Sequence, residues 1–277
     1  MNMQRSIRYY KDYGMWLFFT KSLAKIFNIS FFNDYLAIKE NEILLDLCHS
    51  NNIHPDDFIL DYAVKIVGVK RGVEAYLEGG KSHASWFKSV CDKANLSHQG
   101  IKVSLLEFAS GYGRVTRHFD KDYYDVTACD IHEEATNFIS GHLNVKTILS
   151  VSNPDDFNIN KTFDIVFALS FFSHIPDRTF GKWLKVLYGC VNQGGALIFT
   201  THGRISNEDA KMTLVDGYAF SSSSEQKDLD TAEYGITITE NSYVTKVCEQ
   251  FLSVTPTDWI EGGCDKQDLY IIKKAIQ

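Results

Sequence analysis

The feature that most constrains the fold is a regular alternation of short apolar segments with helical ones in the second part of the chain. Apolar segments that are each long enough for one buried strand cover residues 102–108, 124–130, 145–150, 163–170 and 195–201. Helical patterns over residues 132–143 and 176–191 lie between them. Such strands, apolar on both faces and alternating with helices, are typical of a doubly wound, parallel α/β sheet. Ligands bind such sheets at the carboxyl ends of the strands.

The chain has a different character before residue 100, where helical periodicity dominates. Residues 41–49, 55–69 and 72–95 predict helices, and Pro55, Asp56 and Asp57 are typical of a first helical turn. The sequence therefore predicts two regions, a helical N-terminal cap or lid over residues 1–100 and a ligand-binding domain over 101–277.

The first 29 residues are basic and aromatic, with five basic residues against one acid. Trp16, Phe19, Leu23 and Phe27 share one helical stripe. Such a segment can close over an active site as a lid, pack between subunits, lie on an anionic membrane surface or bind a partner protein. The lid and the packing roles are favoured, and the sequence does not indicate an oligomeric state.

The end of the chain departs from the βα alternation. Residues 202–239 are polar and long for a connection, which favours a functional role. Residues 240–251 predict a helix. The last two apolar segments, FLSVTP and DLYIIKK, are separated by too short a loop for a helical crossover, so they predict antiparallel neighbours.

Composition excludes several classes of protein. The net charge of −7 gives no indication of a nucleic-acid partner. The six cysteines form no CxxC pair, and no HExxH motif is present, so a catalytic metal is not expected. No apolar segment is long enough to span a membrane, and the first residues lack a signal-peptide pattern. We therefore expect a cytoplasmic protein.

The strongest motif is LLEFASGYGR, over residues 105–114, in which an apolar strand runs into an acid and then a glycine turn. Gly111 and Gly113 permit close backbone approach, and a helix is expected to begin near Gly113 with free N–H groups. The dinucleotide fingerprint GxGxxG is matched poorly, because Thr116 occupies its third glycine position.

Two acids that end neighbouring strands indicate the kind of ligand. Asp130 ends the second strand, where a carboxylate can accept both hydroxyls of a ribose. Glu107 ends the first strand and can receive an ammonium group. A ribose carrying an amino acid indicates S-adenosylmethionine (SAM) rather than NAD.

The chain resembles the class I SAM-dependent methyltransferases over roughly residues 100–277. The resemblance rests on EFASGYG, ACD, FDIVFALSFFSHIP, LIFTTHG and the final QDLYIIKK. It implies a seven-stranded, mainly parallel sheet with an antiparallel C-terminal edge strand, SAM as cofactor and S-adenosylhomocysteine as product. Ala109 departs from the family pattern, since it stands where the family usually has its first glycine.

The resemblance also implies the cofactor-binding residues. They follow the first four strands, and Ile131 would flank the adenine together with His132. For the adenine amino group the sequence leaves Ser152, Asn153, Asp155 and Asp156 open. The expected set is Glu107, Ala109, Ser110, Gly111, Gly113, Asp130, Ile131, Ser152, Asn153, Leu169 and Ser170.

His174 is the best candidate for a general base, because it follows the fourth strand at the predicted cleft. It can equally cap a helix or pack against one. His202 follows the fifth strand and is the second candidate, while Arg114 can reach a carboxylate or lie on a solvated helix face.

These observations predict a methyltransferase that acts on a small-molecule acceptor, such as a hydroxyl of a sugar or secondary metabolite. Two alternatives stay open, an NAD(P)-dependent oxidoreductase on a similar sheet and a non-catalytic partner protein with a SAM-binding fold. The sequence indicates neither the acceptor molecule nor the acceptor atom.

Overall fold

The computed structural model describes residues 30–96, 102–223, 226 and 228–276, in two compact units that comprise residues 1–81 and 82–277. The basic, aromatic segment 1–29, predicted to act as a lid or to pack between subunits, lies outside the described residues. Among the described helices, none is both long and apolar enough to cross a membrane.

The described part of the first unit is helical, as predicted. Its helices are α1 (Ser30–Asn51), α2 (Phe58–Val67) and the beginning of α3 (Val69–Lys93). Asp57 caps α2, because its Oδ1 accepts hydrogen bonds from the backbone N–H groups of Ile59 and Leu60. The other carboxylate oxygen of Asp57 accepts a hydrogen bond of 2.7 Å from the Tyr76 hydroxyl. A small core packs these helices together and consists of Cys48, Ile53, Leu60, Val73 and Tyr76.

The second unit is built on one sheet, for which the structure describes nine strands. They are Val103–Phe108 (β1), Tyr124–Asp130 (β2), Lys146–Leu149 (β3), Phe163–Ala168 (β4), Val191–His202 (β5), Tyr218–Ser221 (β6), Ile236–Thr239 (β7), Asp258–Cys264 (β8) and Gln267–Lys273 (β9). Strands β1 to β5 are parallel and adjacent in the order β3-β2-β1-β4-β5. The five apolar segments of the sequence therefore form the parallel sheet that they predicted.

The C-terminal half of the sheet confirms that DLYIIKK forms an antiparallel strand and changes its expected position. The prediction that FLSVTP forms the neighbouring strand is wrong, because Phe251 and Leu252 end a helix and the segment predicted as a loop forms β8. Strand β9 runs antiparallel to β5 and also pairs with β8, so it has neighbours on both sides and does not lie at the edge. The strand count is also larger than the expected seven. Part of the polar segment 202–239 forms the hairpin of β6 and β7, and β7 pairs with β5 at His202. Its polar composition concealed these two short strands.

Besides the C-terminal part of α3, the described helices of the second unit are α4 (Glu133–Phe138, extended by a π-helical turn over Ile139–Leu143), α5 (Asp177–Gly189), α6 (Arg204–Ala210) and α7 (Asn241–Leu252). Helices cover both faces of the sheet, α5 and α7 in one core and α3 and α4 in the other, whereas α6 has no buried residue. One core contains Phe180 and Trp183 of α5 and Val244 of α7. The other contains Phe87 and Ile139. Alternate residues of β5 enter the two cores, which confirms the doubly wound arrangement.

Candidate functional site

The carboxyl ends of β1 to β4 meet at one edge of the sheet, because these strands are parallel. The segments that follow them contain the expected site residues. Residues 109–113 follow β1, residues 131–132 follow β2, residues 150–153 follow β3 and residues 169–174 follow β4. His202 ends β5 at the same edge.

The turn after β1 has three residues in the left-handed region, Ala109 (φ 58°), Gly111 (φ 55°) and Gly113 (φ 81°). Ala109 adopts this conformation at a cost of about 1–2 kcal/mol, which a glycine would not incur. A Cβ on Gly111 would meet no protein atom within 4 Å, so the backbone is open on that side. A Cβ on Gly113 would lie 2.6 Å from Leu143 Cδ1 and would displace that side chain, and the left-handed φ of 81° also favours glycine here.

The helix expected near Gly113 is absent from the described structure. Residues 111–115 form turns, and only a short 3-10 helix, Thr116–His118, follows. The left-handed Gly113 cannot belong to a right-handed helix, and the extended Phe119 ends the 3-10 segment. Arg114 therefore does not lie on a helix face, and its guanidinium contacts the His83 ring. No helix dipole therefore acts at this turn.

Glu107 lies in the interior beneath the turn. Its Oε2 accepts a hydrogen bond of 2.5 Å from the Thr116 hydroxyl. Burial raises the pKa of the Glu107 carboxyl to about 8, despite the Thr116 hydrogen bond and the charge of Arg114, both of which lower it. Glu107 is therefore largely protonated at pH 7, and a cation arriving beside it would favour its ionised form.

Asp130 holds the turn after β1 against the end of β2. Its Oδ2 accepts a hydrogen bond of 2.7 Å from Gly111 N, and its Oδ1 lies 3.0 Å from His132 N and 2.8 Å from His132 Nδ1. The other ring nitrogen of His132, Nε2, lies 2.9 Å from Asp228 Oδ2. The hydrogen bond to Asp130 raises the pKa of His132, and the charges of both carboxylates act in the same direction.

The segment after β3 runs beside Asp130, since Ser150 N donates a 2.7 Å hydrogen bond to the Asp130 carbonyl. Ser152 and Asn153 follow and are exposed. Asn153 caps a short 3-10 helix, where its Oδ1 accepts a hydrogen bond from Asp155 N. Ile131, at the end of β2, is partly exposed.

A hydrogen-bonded group of uncharged side chains lies after β4. Ser170 has φ 60°, and its N–H donates to Thr200 Oγ1 over 2.8 Å. Gln267, at the start of β9, donates to Ser170 Oγ over 2.8 Å and accepts from the Thr200 hydroxyl over 2.6 Å. The Ser173 hydroxyl donates to the Ser170 carbonyl over 2.5 Å. These bonds hold Leu169 and Ser170 at the carboxyl edge.

His174 is partly buried beside the β6–β7 hairpin. Its Nδ1 lies 2.7 Å from the Gly235 carbonyl oxygen, and its ring stacks on Tyr234 with 4.5 Å between centroids. The His202 ring is 5.9 Å away. Burial lowers the pKa of His174 to about 4 and also lowers that of His202. A carbonyl can only accept a hydrogen bond, so the proton is on Nδ1 and the Nε2 lone pair is unprotonated.

Comparison with known proteins identifies part of the second unit. Residues 106–197, from β1 into β5, match the family model described as a methyltransferase domain. This segment is therefore similar to a methyltransferase domain, and the parallel sheet with its antiparallel β9 is the fold expected of the class I, SAM-dependent methyltransferases. No curated protein sequence matches the chain.

The methyltransferase fold is also found among solved structures. The DesVI protein of Streptomyces venezuelae is 13% identical, with a TM-score of 0.51 over 71% of this chain and 93% of that one. A SAM-dependent methyltransferase from Clostridium acetobutylicum is 16% identical, with a TM-score of 0.49 over 70% and 91% of the two chains. At these identities the likeness concerns the fold.

Several residues at the carboxyl edge of the sheet were not predicted from the sequence. Thr200 and Gln267 join the Ser170 group, and Tyr234 and Gly235 contact His174. These contacts join residues about 60 to 100 positions apart, so no local motif indicates them. The Tyr-Gly pair in the polar segment was the one available signal, because a glycine often marks close backbone approach.

Proposed function

We propose that this protein transfers the methyl group of SAM to a hydroxyl group of a small-molecule acceptor, with His174 as the general base. The observation that carries this proposal is a neutral imidazole with a fixed tautomer, held at the same sheet edge as the glycine turn and Asp130. Nε2 is unprotonated near neutral pH, and the acceptor hydroxyl becomes more acidic as its oxygen bonds to the methyl carbon, so a base of lowered pKa can take the proton.

The adenosine part of SAM is proposed to bind between the segments after β2 and β3. A carboxylate has about four acceptor positions, and Gly111 N, His132 N and His132 Nδ1 use three of those on Asp130. Two ribose hydroxyls therefore require one of these contacts to open. The His132 ring can rotate away, whereas the two backbone N–H groups are fixed by the chain. Ile131, Ser152 and Asn153 would contact the adenine.

The methionine part is proposed to lie along the turn after β1. Gly111 is open to the surroundings, and Ala109, Ser110 and Gly113 shape the backbone around it. The ammonium group would lie toward Glu107, whose raised pKa falls when a positive charge approaches. Leu169 and Ser170 would line the other side, where the hydrogen bonds of Ser170 keep its backbone in the left-handed region.

The proposed transfer is an in-line displacement. The acceptor oxygen attacks the methyl carbon, the carbon–sulfur bond breaks, and both of its electrons go to sulfur, which gives S-adenosylhomocysteine. The acceptor proton passes to Nε2 of His174, and the resulting imidazolium then releases it to water. In-line positioning supplies much of the acceleration, because the sulfonium is already a good leaving group.

The test uses SAM labelled in the methyl group and a panel of phenols, sugars and amines as acceptors. We expect methyl transfer to a hydroxyl acceptor and a loss of about 10²–10⁴-fold in kcat for His174→Ala, with little change in SAM affinity. A His174→Ala enzyme with full turnover on a hydroxyl acceptor would remove the base from the mechanism. Transfer to amines alone would contradict the hydroxyl acceptor, since an uncharged amine needs no base.

A further inference from the structure

We propose that residues 230–237, which we name the 230–237 strap, position His174 and select the tautomer in which Nε2 is free to accept a proton. This inference rests on the proposed role of His174 as base. Tyr234 and Gly235 are positioning residues in it, since they act through the histidine.

The strap contacts the imidazole directly. The Gly235 carbonyl lies 2.7 Å from Nδ1 and holds the ring proton there. The Tyr234 ring lies parallel to the imidazole, with an interplanar angle of 13°, and limits rotation about the histidine side-chain bonds. A neutral imidazole can carry its proton on either nitrogen, so the partner of one nitrogen decides the chemistry of the other.

The backbone of the strap is itself fixed to the segment that carries His174. Gly235 N donates to the His174 carbonyl over 2.9 Å, and Thr237 N donates to the Ser173 carbonyl over 2.8 Å. The Thr237 hydroxyl donates to the Ile175 carbonyl over 2.7 Å. Gly235 therefore contacts both the ring and the backbone of His174, and Thr237 fixes the residues on either side of it, which leaves the imidazole little freedom to move.

The N-terminal end of the strap is held by contacts of its own. Arg178, in the first turn of α5, donates to the Ala232 carbonyl over 2.7 Å and pairs with the Glu233 carboxylate. Asp230 accepts hydrogen bonds at its carbonyl from Glu233 N and Tyr234 N, which closes a turn just before the aromatic ring. The ring position is thus set by contacts on both sides of it.

Position 235 has no room for a side chain. A Cβ on Gly235 would lie 2.2 Å from the Ser221 carbonyl oxygen and 2.7 Å from the Phe220 ring. A backbone atom cannot give way as a flexible side chain can. Any larger residue therefore displaces the strap, and the carbonyl that contacts Nδ1 moves with it.

The second histidine of the edge lies beside the strap. His202 pairs with Ile238, the residue that follows the strap, and its ring centroid lies 5.9 Å from that of His174.

The experiment reads the tautomer directly, through the ¹⁵N shifts of the ring nitrogens in histidine-labelled protein at pH 7. The His174 signals are assigned by their loss in His174→Gln. We expect protonated Nδ1 and unprotonated Nε2 in the native protein and in Tyr234→Phe, which keeps the ring. Gly235→Ala and Tyr234→Leu should show a mixture of both tautomers. Gly189→Ala is the matched control, because a Cβ there meets no atom within 4 Å.

Turnover separates this inference from the proposed function. We expect kcat to fall about tenfold or more in Tyr234→Leu, to be restored in Tyr234→Phe and to be unchanged in Gly189→Ala, with SAM affinity equal in all of them. A native tautomer protonated on Nε2 would overturn the inference, as would a single Nδ1–H tautomer in both Tyr234→Leu and Gly235→Ala. If Gly235→Ala fails to fold, Tyr234→Leu alone decides. Mixed tautomers with full turnover would support positioning and contradict the base.

Discussion

At the scale of single residues, the surroundings of Glu107, His132 and His174 shift their pKa values. Burial raises the pKa of Glu107 to about 8 and lowers that of His174 to about 4, while the hydrogen bond to Asp130 raises that of His132. Burial therefore favours the uncharged forms of Glu107 and His174, whereas the contact with Asp130 favours the charged form of His132. Shifts of this kind are enriched at functional sites.

The ribose contact predicts the effect of Asp130→Ala. The change removes a charged acceptor, so SAM binding should weaken by about 2–4 kcal/mol, measured by titration calorimetry. Asp125→Ala is the matched control on the same strand, because its contact with Lys146 is an exposed ion pair worth less than about 1 kcal/mol. Equal SAM affinity in the two variants would contradict the position of the ribose.

The lowered pKa of His174 predicts a specific dependence of stability on pH. The unfolded histidine takes up a proton below its ordinary pKa of 6.5, whereas the folded one resists until about pH 4. This group therefore contributes stability above pH 6.5, and the contribution is lost as the pH falls toward 4.

The measurement is denaturant unfolding of the native protein and His174→Gln at pH 7 and pH 5. Between these values the native protein should lose up to about 2 kcal/mol more unfolding free energy than the variant. His132 contributes in the opposite direction, because its raised pKa stabilises the folded protein as the pH falls. Both proteins contain His132, so its contribution cancels when their unfolding free energies are subtracted. Parallel losses in both proteins would show that His174 has an ordinary pKa.

At the scale of secondary-structure elements, α5 is held against α7 through a glycine. A Cβ on Gly181 would lie 2.3 Å from the Phe251 ring, whereas a Cβ on Gly189, in the same helix, would meet nothing within 4 Å. Gly181→Ala should therefore lower the free energy of unfolding by about 1–3 kcal/mol. Gly189→Ala should leave it unchanged or raise it by up to about 1 kcal/mol. Equal stabilities by thermal unfolding would contradict this packing.

The elements that could be predicted from the sequence are those with a local pattern. The apolar run of β4 and the stripe of Phe180, Trp183 and Leu184 on α5 carry their structure within a few residues. The absence of a helix after Gly113 could not be predicted in this way. It depends on a left-handed φ at Gly113, which a glycine permits but does not require. Strands β6 and β7 are short and lie in a polar segment, and they form because they pair with each other.

At the scale of the whole molecule, the proposed site combines a predictable half with an unpredictable one. Glu107, Gly111 and Asp130 belong to a motif that connects adjacent strands, so their position follows from the sheet. The strap that contacts His174 comes from the long segment between β5 and α7, and its fit depends on tertiary contacts between residues about 60 positions apart in sequence. A sequence pattern can indicate that such a long polar segment has a function, but it does not indicate which of its side chains contact the site.

The most direct test of the central claim is calorimetric titration of the native protein and Gly111→Val with SAM, S-adenosylhomocysteine and NAD. We predict that the native protein binds SAM and S-adenosylhomocysteine at one site and does not bind NAD. In Gly111→Val the left-handed φ of 55° costs stability, but a Cβ there meets no protein atom within 4 Å. We therefore expect a folded variant, checked by circular dichroism, that loses SAM because the side chain enters the open side of the turn. Binding of NAD without SAM, or near-native SAM affinity in folded Gly111→Val, would contradict the account.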